Sequence, residues 1–496
     1  MNFIDKVVTF VSPRAGYERA AYRDALKMRS AYDAADISKA NHNWRVLNNP
    51  AQIEDKPERS IVRARARDLE RNTDVTNGIL GAFERNVIGK GFNMQAKTDD
   101  EKIDSQLEEL WNEWCKAKNC DVTGQQNFRQ ILKMALRRKK VDGGMLLLKV
   151  YTKGGLLPFK LQALEVDELD NNQITPRKKG NRVVDGIEYN EYNRPVGYWI
   201  KQYSLDGMII QDTRYYDAKD VIFYWEKNRP SQVREMSDLA PAVTRIRDSN
   251  EFINAVSIKE RVAACLAVFI RRANPVNGLG RQARGSGPEI SYDGMTLTPG
   301  MIGELNPGDQ LDVVNPASSG EDSAAFLKVQ QRMIASGQGL SYEAVSRDMS
   351  ETNYSSARQA IIEDENTYYN EADIIMERVM DEVYETFVIS CVLTGKVNIP
   401  DFWSDKIRYL KHTWVASPKK WIDPSKEATA NKIALETGQK SWVDICAESG
   451  KDWKEQIDNM AKANEYAQLK GVEIGGILNG KKQSENAEAA TAANGN

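Results

Sequence analysis

The run "IIEDENTYYNEAD" packs Glu363, Asp364, Glu365 and Glu371 closely together. Paired carboxylates at helical spacing are what a two-metal phosphodiesterase needs, because its two cations must share oxygen ligands. A solvated helical face gives the same pattern, and that is the expectation here. Just upstream, "GLSYEAVSRDMSETNYSSARQ" holds a second chemical pattern. Ser346, Arg347, Ser350, Thr352, Asn353, Ser355 and Ser356 offer neutral hydrogen-bonding groups and a single cation. Such groups meet phosphate oxygens weakly and without regard to sequence. The strip also suits a helix cap, with Asn353 or Ser355 as N-cap.

Other chemistries find no support. His42 and His412 are the only histidines, so neither an HExxH site nor a multi-histidine metal centre can be assembled. Both are expected at the surface or in packing. The cysteines at 115, 120, 265, 391 and 446 form no CxxC pair and are odd in number, which argues against a zinc site or a disulfide framework and fits a reducing compartment. No GxxxxGK[ST] loop occurs, and "GLGRQARGSG" lacks the glycine spacing and the preceding strand of a dinucleotide fingerprint. No cofactor is implied. Arg63, Arg65 and Arg67 spread around a helix, so ion pairing rather than phosphate contact is expected of them and of the cluster Arg137 to Lys140.

These groups sit in a chain of 496 residues, long enough for two or more domains. Hydrophobic residues make up 41% and charged residues 28%, the balance of a soluble globular protein, and no run of ~18 apolar residues reads as a membrane span. The N-terminus carries Asp5 and Lys6 inside its apolar patch and lacks a cleavage pattern, so no secretory signal is expected. A net charge of −3 speaks against a main task of gripping nucleic acid, which needs clustered excess Lys and Arg.

The pattern along the chain is α+β and predominantly helical. "NNPAQIEDKPERS" is expected to be a loop from its two prolines, and a helix is expected to open at Ser60. Amphipathic helices lead into strands "MLLLKVYT", "FKLQALEV", "RVVDGIEYNEYNRPVGYWIKQYS" and "DVIFYWE". A helix of about 45 Å is expected from Ser237 or Asp238, with Pro241 in its first turn and a stripe of Val243, Ile246, Asn250, Ile253 and Ser257. A Gly- and Pro-rich β insert follows, then a returning helix. The longest helix, about 55 Å, begins near Ser356, with Ile361, Tyr368 and Ile375 and the pair Ala372 and Val379 recurring at seven.

Four separated segments, "IVRARARDLERNTDVTNGILGAFERNVIGKGF", "SDLAPAVTRIRDSNEF", "GLSYEAVSRDMSETNYSSARQAIIE" and "WIDPSKEATANKIALETGQKSWVDICAESGKDW", resemble portal proteins of lambda-type tailed bacteriophages in the same order. The resemblance runs from about Ile61 to Trp453. It implies a portal fold with wing, stem, β-containing clip and helical crown. On this chain that becomes an N-terminal arm at 1–59, a wing at 60–235 and a stem helix at 236–264. The clip takes 265–321, the returning stem helix 322–345 and a tunnel loop 346–356. The long helix and the rest of the wing occupy 357–423, crown helices 424–470, and a tail too poor in apolar residues to fold alone 471–496.

The resemblance further implies a non-enzymatic ring, usually of twelve subunits, at one capsid vertex of the virion. Double-stranded DNA would enter and leave through it, read without sequence preference. The implied partners are the terminase large subunit, the major capsid and scaffold proteins, and head-completion or tail adaptor proteins, with no membrane. The tunnel loop would face DNA through the seven residues named above, and Arg281 and Arg284 in the clip are candidate contacts to terminase or adaptor. Another head-tail connector or adaptor ring, and a metal-dependent DNA-processing enzyme using the acidic run, are the alternative readings.

Overall fold

The computed structural model describes residues 12–15, 47–204, 210–264, 268–272, 309–313, 320–416 and 424–472. Two units divide the chain, Met1–Glu54 and Asp55–Asn496, and the elements below belong to the second except where α1 begins.

Helix α1, Ala51–Asn72, starts earlier than expected. From Ala51 on, "NNPAQIEDKPERS" is therefore helical rather than a loop, although Pro57 lies inside it; only Asn48 to Pro50 stay outside the helix. An interior proline removes one helical hydrogen bond and crowds the preceding turn. Tertiary contacts override that local preference. Ala66 and Leu69 are buried in the main core, and Arg59, Arg63 and Arg67 are paired with acids far along the chain. Helix α2, Asp74–Phe83, continues through a π-helical turn, Glu84–Ile88, to Gly89. Gly89 has φ of 51, so the helix stops where the glycine run foretells.

Strand β1, Asn93–Ala96, is followed by α3, Glu101–Trp114, and α4, Phe128–Asp142. Asp100 and Asn127 cap these two helices, Asn127 in a full capping box with Gln130. Strands β2 (Gly144–Tyr151) and β3 (Phe159–Leu164) follow. Next come β4 (Arg182–Val184), β5 (Ile187–Tyr189), β6 (Pro195–Tyr203), β7 (Ile210–Asp217) and β8 (Val221–Trp225). They form two antiparallel sheets, ordered β3-β2-β8 and β4-β5-β6-β7.

Strand β2 explains how the sheets pack. It is buried on both faces, which is why its sequence reads as an unbroken apolar run instead of an alternation. Met145 and Leu147 enter the main helical core; Leu146 and Leu148 enter a second cluster with Leu169, Ile187, Tyr198 and Ile200. The main core is aromatic at its centre. Trp111 stacks on Trp114 at 5.2 Å and meets Phe128, Tyr384 and Phe387 edge-on.

Helix α5, Val243–Ala264, is shorter than the expected span from Ser237, about 33 Å for its 22 residues. Residues 237–242 instead form turns: Ser237 Oγ accepts from Leu239 N–H, and Ala240 and Ala242 N–H bond back by three residues. The buried seam also differs. Val243 and Ile246 are buried as expected, but Ile253 and Ser257 are exposed, while Ser249 is buried and Phe252 half-buried. Phe252 meets Phe326 of α6, Gly320–Gly337, at 4.8 Å between rings. The returning helix is thus broken before 345. Gly339 turns the chain at φ of 69, and a separate short helix α7, Tyr342–Ser346, follows.

Between α5 and α6 the chain pairs β9, Val268–Arg272, with β10, Asp309–Val313, antiparallel, so the two ends of the insert lie side by side. Arg281 and Arg284 lie outside the described residues. Helix α8, Tyr354–Ile375, passes through a π-helical turn, Met376–Met380, into α9, Asp381–Leu393, as the longest helical stretch. Tyr368, Ala372, Ile375 and Val379 of the expected seven-residue pattern are buried, and Ile361 is exposed. Strand β11, His412–Val415, pairs with β1, a pairing of distant short segments that no local pattern announces. Helices α10 (Pro424–Glu436), α11 (Trp442–Glu448) and α12 (Trp453–Lys470) end the described chain. Among the described residues no helix is long and apolar enough to cross a membrane.

Candidate nucleic-acid interface

The strip at 346–356 is seated by α2, α6 and α8. Its entry helix α7 is capped by Ser341, whose N–H and hydroxyl both donate to Asp364 of α8, each at 2.6 Å. On its other side α7 touches α2 backbone to backbone. A Cβ at Gly78 would stand 2.9 Å from the Val345 carbonyl oxygen, too close for any side chain without displacement. That close approach is why a glycine is tolerated in the middle of α2, where it costs roughly 0.5–1 kcal/mol relative to alanine.

Arg347 ends α7 in the left-handed region, with φ of 58, and its N–H donates to Glu343 O. Asp348 N–H donates to Ser346 Oγ at 3.1 Å, and Ser350 N–H to Asp348 Oδ1 at 3.0 Å. These bonds with Ser350 hold the Asp348 carboxyl below its ordinary value. Glu351 pairs with Lys328 of α6 at 2.5 Å, so one of the strip's two acids is paired with a lysine of that helix. Asn353 caps α8 in a capping box: Ser356 N–H donates to Asn353 Oδ1 at 2.9 Å, and Asn353 N–H donates to Ser356 Oγ at 3.1 Å. Of the two expected cap residues, Asn353 holds the role and Ser355 does not.

The seven strip residues are thus brought together but are not equivalent. Ser346, Asn353 and Ser356 have their side chains committed to the strip's own turns. Ser350 is engaged with Asp348. Among the described residues Arg347, Thr352 and Ser355 make no side-chain hydrogen bond or ion pair, and Arg347 and Ser355 are exposed. Burial and the like charge of Arg347 push the nearby Arg85 guanidinium below its ordinary value. The strip's one cation is therefore close enough to feel a second cation, Arg85, and the nearby Met349 side chain is 54% exposed.

The acidic run comes apart on inspection. Asp364 is committed to Ser341, and Glu371 is buried against Lys139 and Lys140 of α4, 3.0 Å from Lys139 Nζ. Asp238 joins the same lysines at 3.3 and 3.1 Å, and Glu226 lies 3.1 Å from Lys139. Burial pushes the Glu371 carboxyl up, but Lys140 and Lys139 outweigh it and hold it below its ordinary value. Among the described residues no three His, Cys, Asp or Glu side chains are grouped to hold a metal ion. This buried node joins α4, the turn before α5, and α8. Sequence reasoning missed it because Glu371, Asp238 and Glu226 lie 232, 99 and 87 positions from Lys139.

The basic clusters behave as ion pairs except at Arg65, which is exposed and forms none among the described residues. Arg63 binds Asp167 and Glu235; Arg67 binds Asp142 at 2.7 Å; Arg137 binds Glu70 at 2.5 Å and Glu84 at 2.9 Å; Arg138 binds Glu70 and Asp142. His412 is a packing residue: Asp381 lies 3.0 Å from its Nε2, and its ring lies 4.3 Å from that of Tyr384.

Two helices flank a β-closed insert, and a seated polar strip and one long helix follow, within a mixed helix and sheet fold. The chain belongs to the lambda family of phage portal proteins: the model of "Phage portal protein, lambda family" matches residues 38–370. The "Probable portal protein" of Halomonas phage phiHAP-1 is 24% identical over 443 residues, 85% of this chain and 83% of that protein. "Portal protein B" of Escherichia phage lambda is 19% identical over 433 residues, covering 79% of this chain and 81% of its own. Among solved structures, a chain in the neck of a native gene transfer agent particle, computed with C12 symmetry, covers 78% of this chain and 93% of itself at 12% identity and a TM-score of 0.42.

Proposed function

We propose that this phage-head portal protein works as a closed ring of subunits, twelve in number, forming the channel at one capsid vertex through which double-stranded DNA is packaged and later ejected. The observation that carries the reading is the order of elements within a family member. A first helix (α5) leads to an insert closed by β9 and β10, a second helix (α6) returns, and a polar strip then opens the longest helix. In this reading α5 with the turns from 236, and α6, are the stem; 265–321 is the clip; 60–235 with 357–423 is the wing; and 424–470 is the crown.

The clip, with Arg281 and Arg284, would meet the terminase large subunit during packaging and head-completion or tail adaptor proteins afterwards. Capsid and scaffold proteins would meet the wing. The role is structural, with ATP consumed by the separate motor. The strip at 346–356 faces DNA, and its uncommitted groups, Arg347, Thr352 and Ser355, support light contact. A channel densely lined with cations would hold phosphates strongly and slow translocation.

Electron microscopy of the purified protein tests the ring: closed rings with a central pore are expected, and monomers under assembly conditions would overturn it. Arg347→Glu, or deletion of 350–354, should leave rings intact and impair DNA packaging or retention. Rings that fail to form in these variants would make the strip a structural cap alone.

A further inference from the structure

Most clustered cations of the described chain are spent on acids, but a group on the four-stranded sheet is not. The loop before β4, the first residue of β4 and the β5–β6 turn carry Arg177, Lys178, Lys179, Arg182 and Arg194, all exposed. Among the described residues none of the five forms an ion pair. The segment is held rigidly. Glu188, fully buried, accepts from Arg177 N–H at 2.8 Å, Lys178 N–H at 3.1 Å and Asn181 Nδ2 at 2.7 Å, and Gly180 turns the chain at φ of 96. The carboxylate nearest the loop is thus consumed by its backbone.

Side chains are placed as well. The Arg177 guanidinium lies 4.7 Å over the Tyr215 ring, and Arg182 Nη2 donates to Asn193 Oδ1 at 2.5 Å. Asn190 Oδ1 accepts from Tyr192 and Arg194 N–H at 3.0 and 2.9 Å, which sets the β5–β6 turn. Register pairs Arg182 with Tyr189 and Tyr189 with Pro195, bringing the loop and the turn to one end of the sheet. Of the acids close by, Glu191 is exposed and Asp217 lies across from Gly197.

We propose that this end of the sheet is a second, sequence-independent binding surface for duplex DNA, separate from the strip. Exposed and unpaired cations on a fixed backbone suit the regular charge of a phosphate backbone. The five cations stand on exposed loop and strand ends of one sheet. The choice of DNA as the polyanion rests on the portal reading. The unpaired cluster itself does not.

The test compares the full chain with the triple variant Lys178→Ala, Lys179→Ala, Arg194→Ala, using a random-sequence duplex and fluorescence anisotropy over a salt series. Removal of three phosphate contacts should weaken binding at least about tenfold at physiological salt and flatten the slope of log K against log salt by about 2.7. Because the three side chains are exposed and unpaired, thermal unfolding should be unchanged. An unchanged slope overturns the proposal, as does loss of polyglutamate binding with duplex binding intact, which would assign the surface to an acidic protein. Micrographs of the same preparations keep the two readings apart: absence of rings overturns the ring alone, while the salt slope still decides the surface.

Discussion

Glu371→Gln tests whether the buried node clamps α8, the helix that the polar strip opens. Glu371 is the most buried acid facing Lys139 and Lys140, which are themselves 1% and 6% exposed. Removing one partner of a buried pair costs about 3–5 kcal/mol, because the remaining charge is left uncompensated in a poorly polarisable surrounding. Here Asp238 contacts both lysines and Glu226 contacts one, and both acids are more exposed than Glu371, so compensation is partial. A loss of about 3 kcal/mol is the expected figure.

Hydrogen exchange measures it locally, which matters in a chain too large for a single unfolding free energy. Amides of α8 whose opening requires release of the node should exchange roughly 150-fold faster, since about 1.4 kcal/mol corresponds to a factor of ten. Amides of the second cluster, in β5 and β6, should not change. Acceleration of less than about fivefold in α8 would refute the clamp. A charge-free node gives a second check, because buried ionic groups are often replaceable by apolar ones. Lys139→Met, Lys140→Met, Glu371→Leu together should recover most of the protection that Glu371→Gln loses; a further loss would show that the charges are needed for more than mutual compensation.

Gly78→Ala should push α7 off α2, costing about 1–3 kcal/mol by overpacking and raising protease cleavage within 346–353, whereas Gly124→Ala, with nothing around its Cβ, should leave that cleavage unchanged. Asn353→Ala should cost about 1 kcal/mol and speed exchange of the first amides of α8, while Asn353→Asp should be close to neutral; equal effects would show that the cap contributes nothing. Acid should destabilise the described fold through Glu371, Glu70 and Asp381, whose carboxyls lie below their ordinary values because Lys140 and Lys139, Arg138 and Arg137, and His412 and Trp414 outweigh the cost of burial. Their contribution is complete above the unfolded pKa values and is lost as pH falls through the lower folded ones, so denaturant midpoints should drop below about pH 4.5. Midpoints that stay level down to pH 3 would contradict this.

Elements with a strong local signature are legible in the residues themselves. Met145 to Leu148 read as a strand because burial on both faces demands an unbroken apolar run. The long helix reads through Tyr368, Ala372, Ile375 and Val379, and its cap reads as Asn353 or Ser355, of which folding uses Asn353. Local signals mislead where a distant contact outweighs them. Pro57 argues for a loop, yet α1 runs through it, fastened by Arg59, Arg63 and Arg67. Ser237 and Pro241 look like a helix start, yet Ser237 is occupied by Leu239 N–H and the Lys140 carbonyl, and the helix waits until Val243.

Residue order alone set the succession of helices and strands, the strip's composition and the family. Those depend on residue type and near spacing, which the chain carries everywhere it goes. Folding, by contrast, settled which charges are free. Glu363 and Asp364 are neighbours in the run, but only Asp364 meets Ser341; Lys139 looks like Lys178, but only Lys139 is buried against acids. A charge's partner is chosen by folding across hundreds of residues, so its availability for DNA cannot be read from its neighbours in sequence.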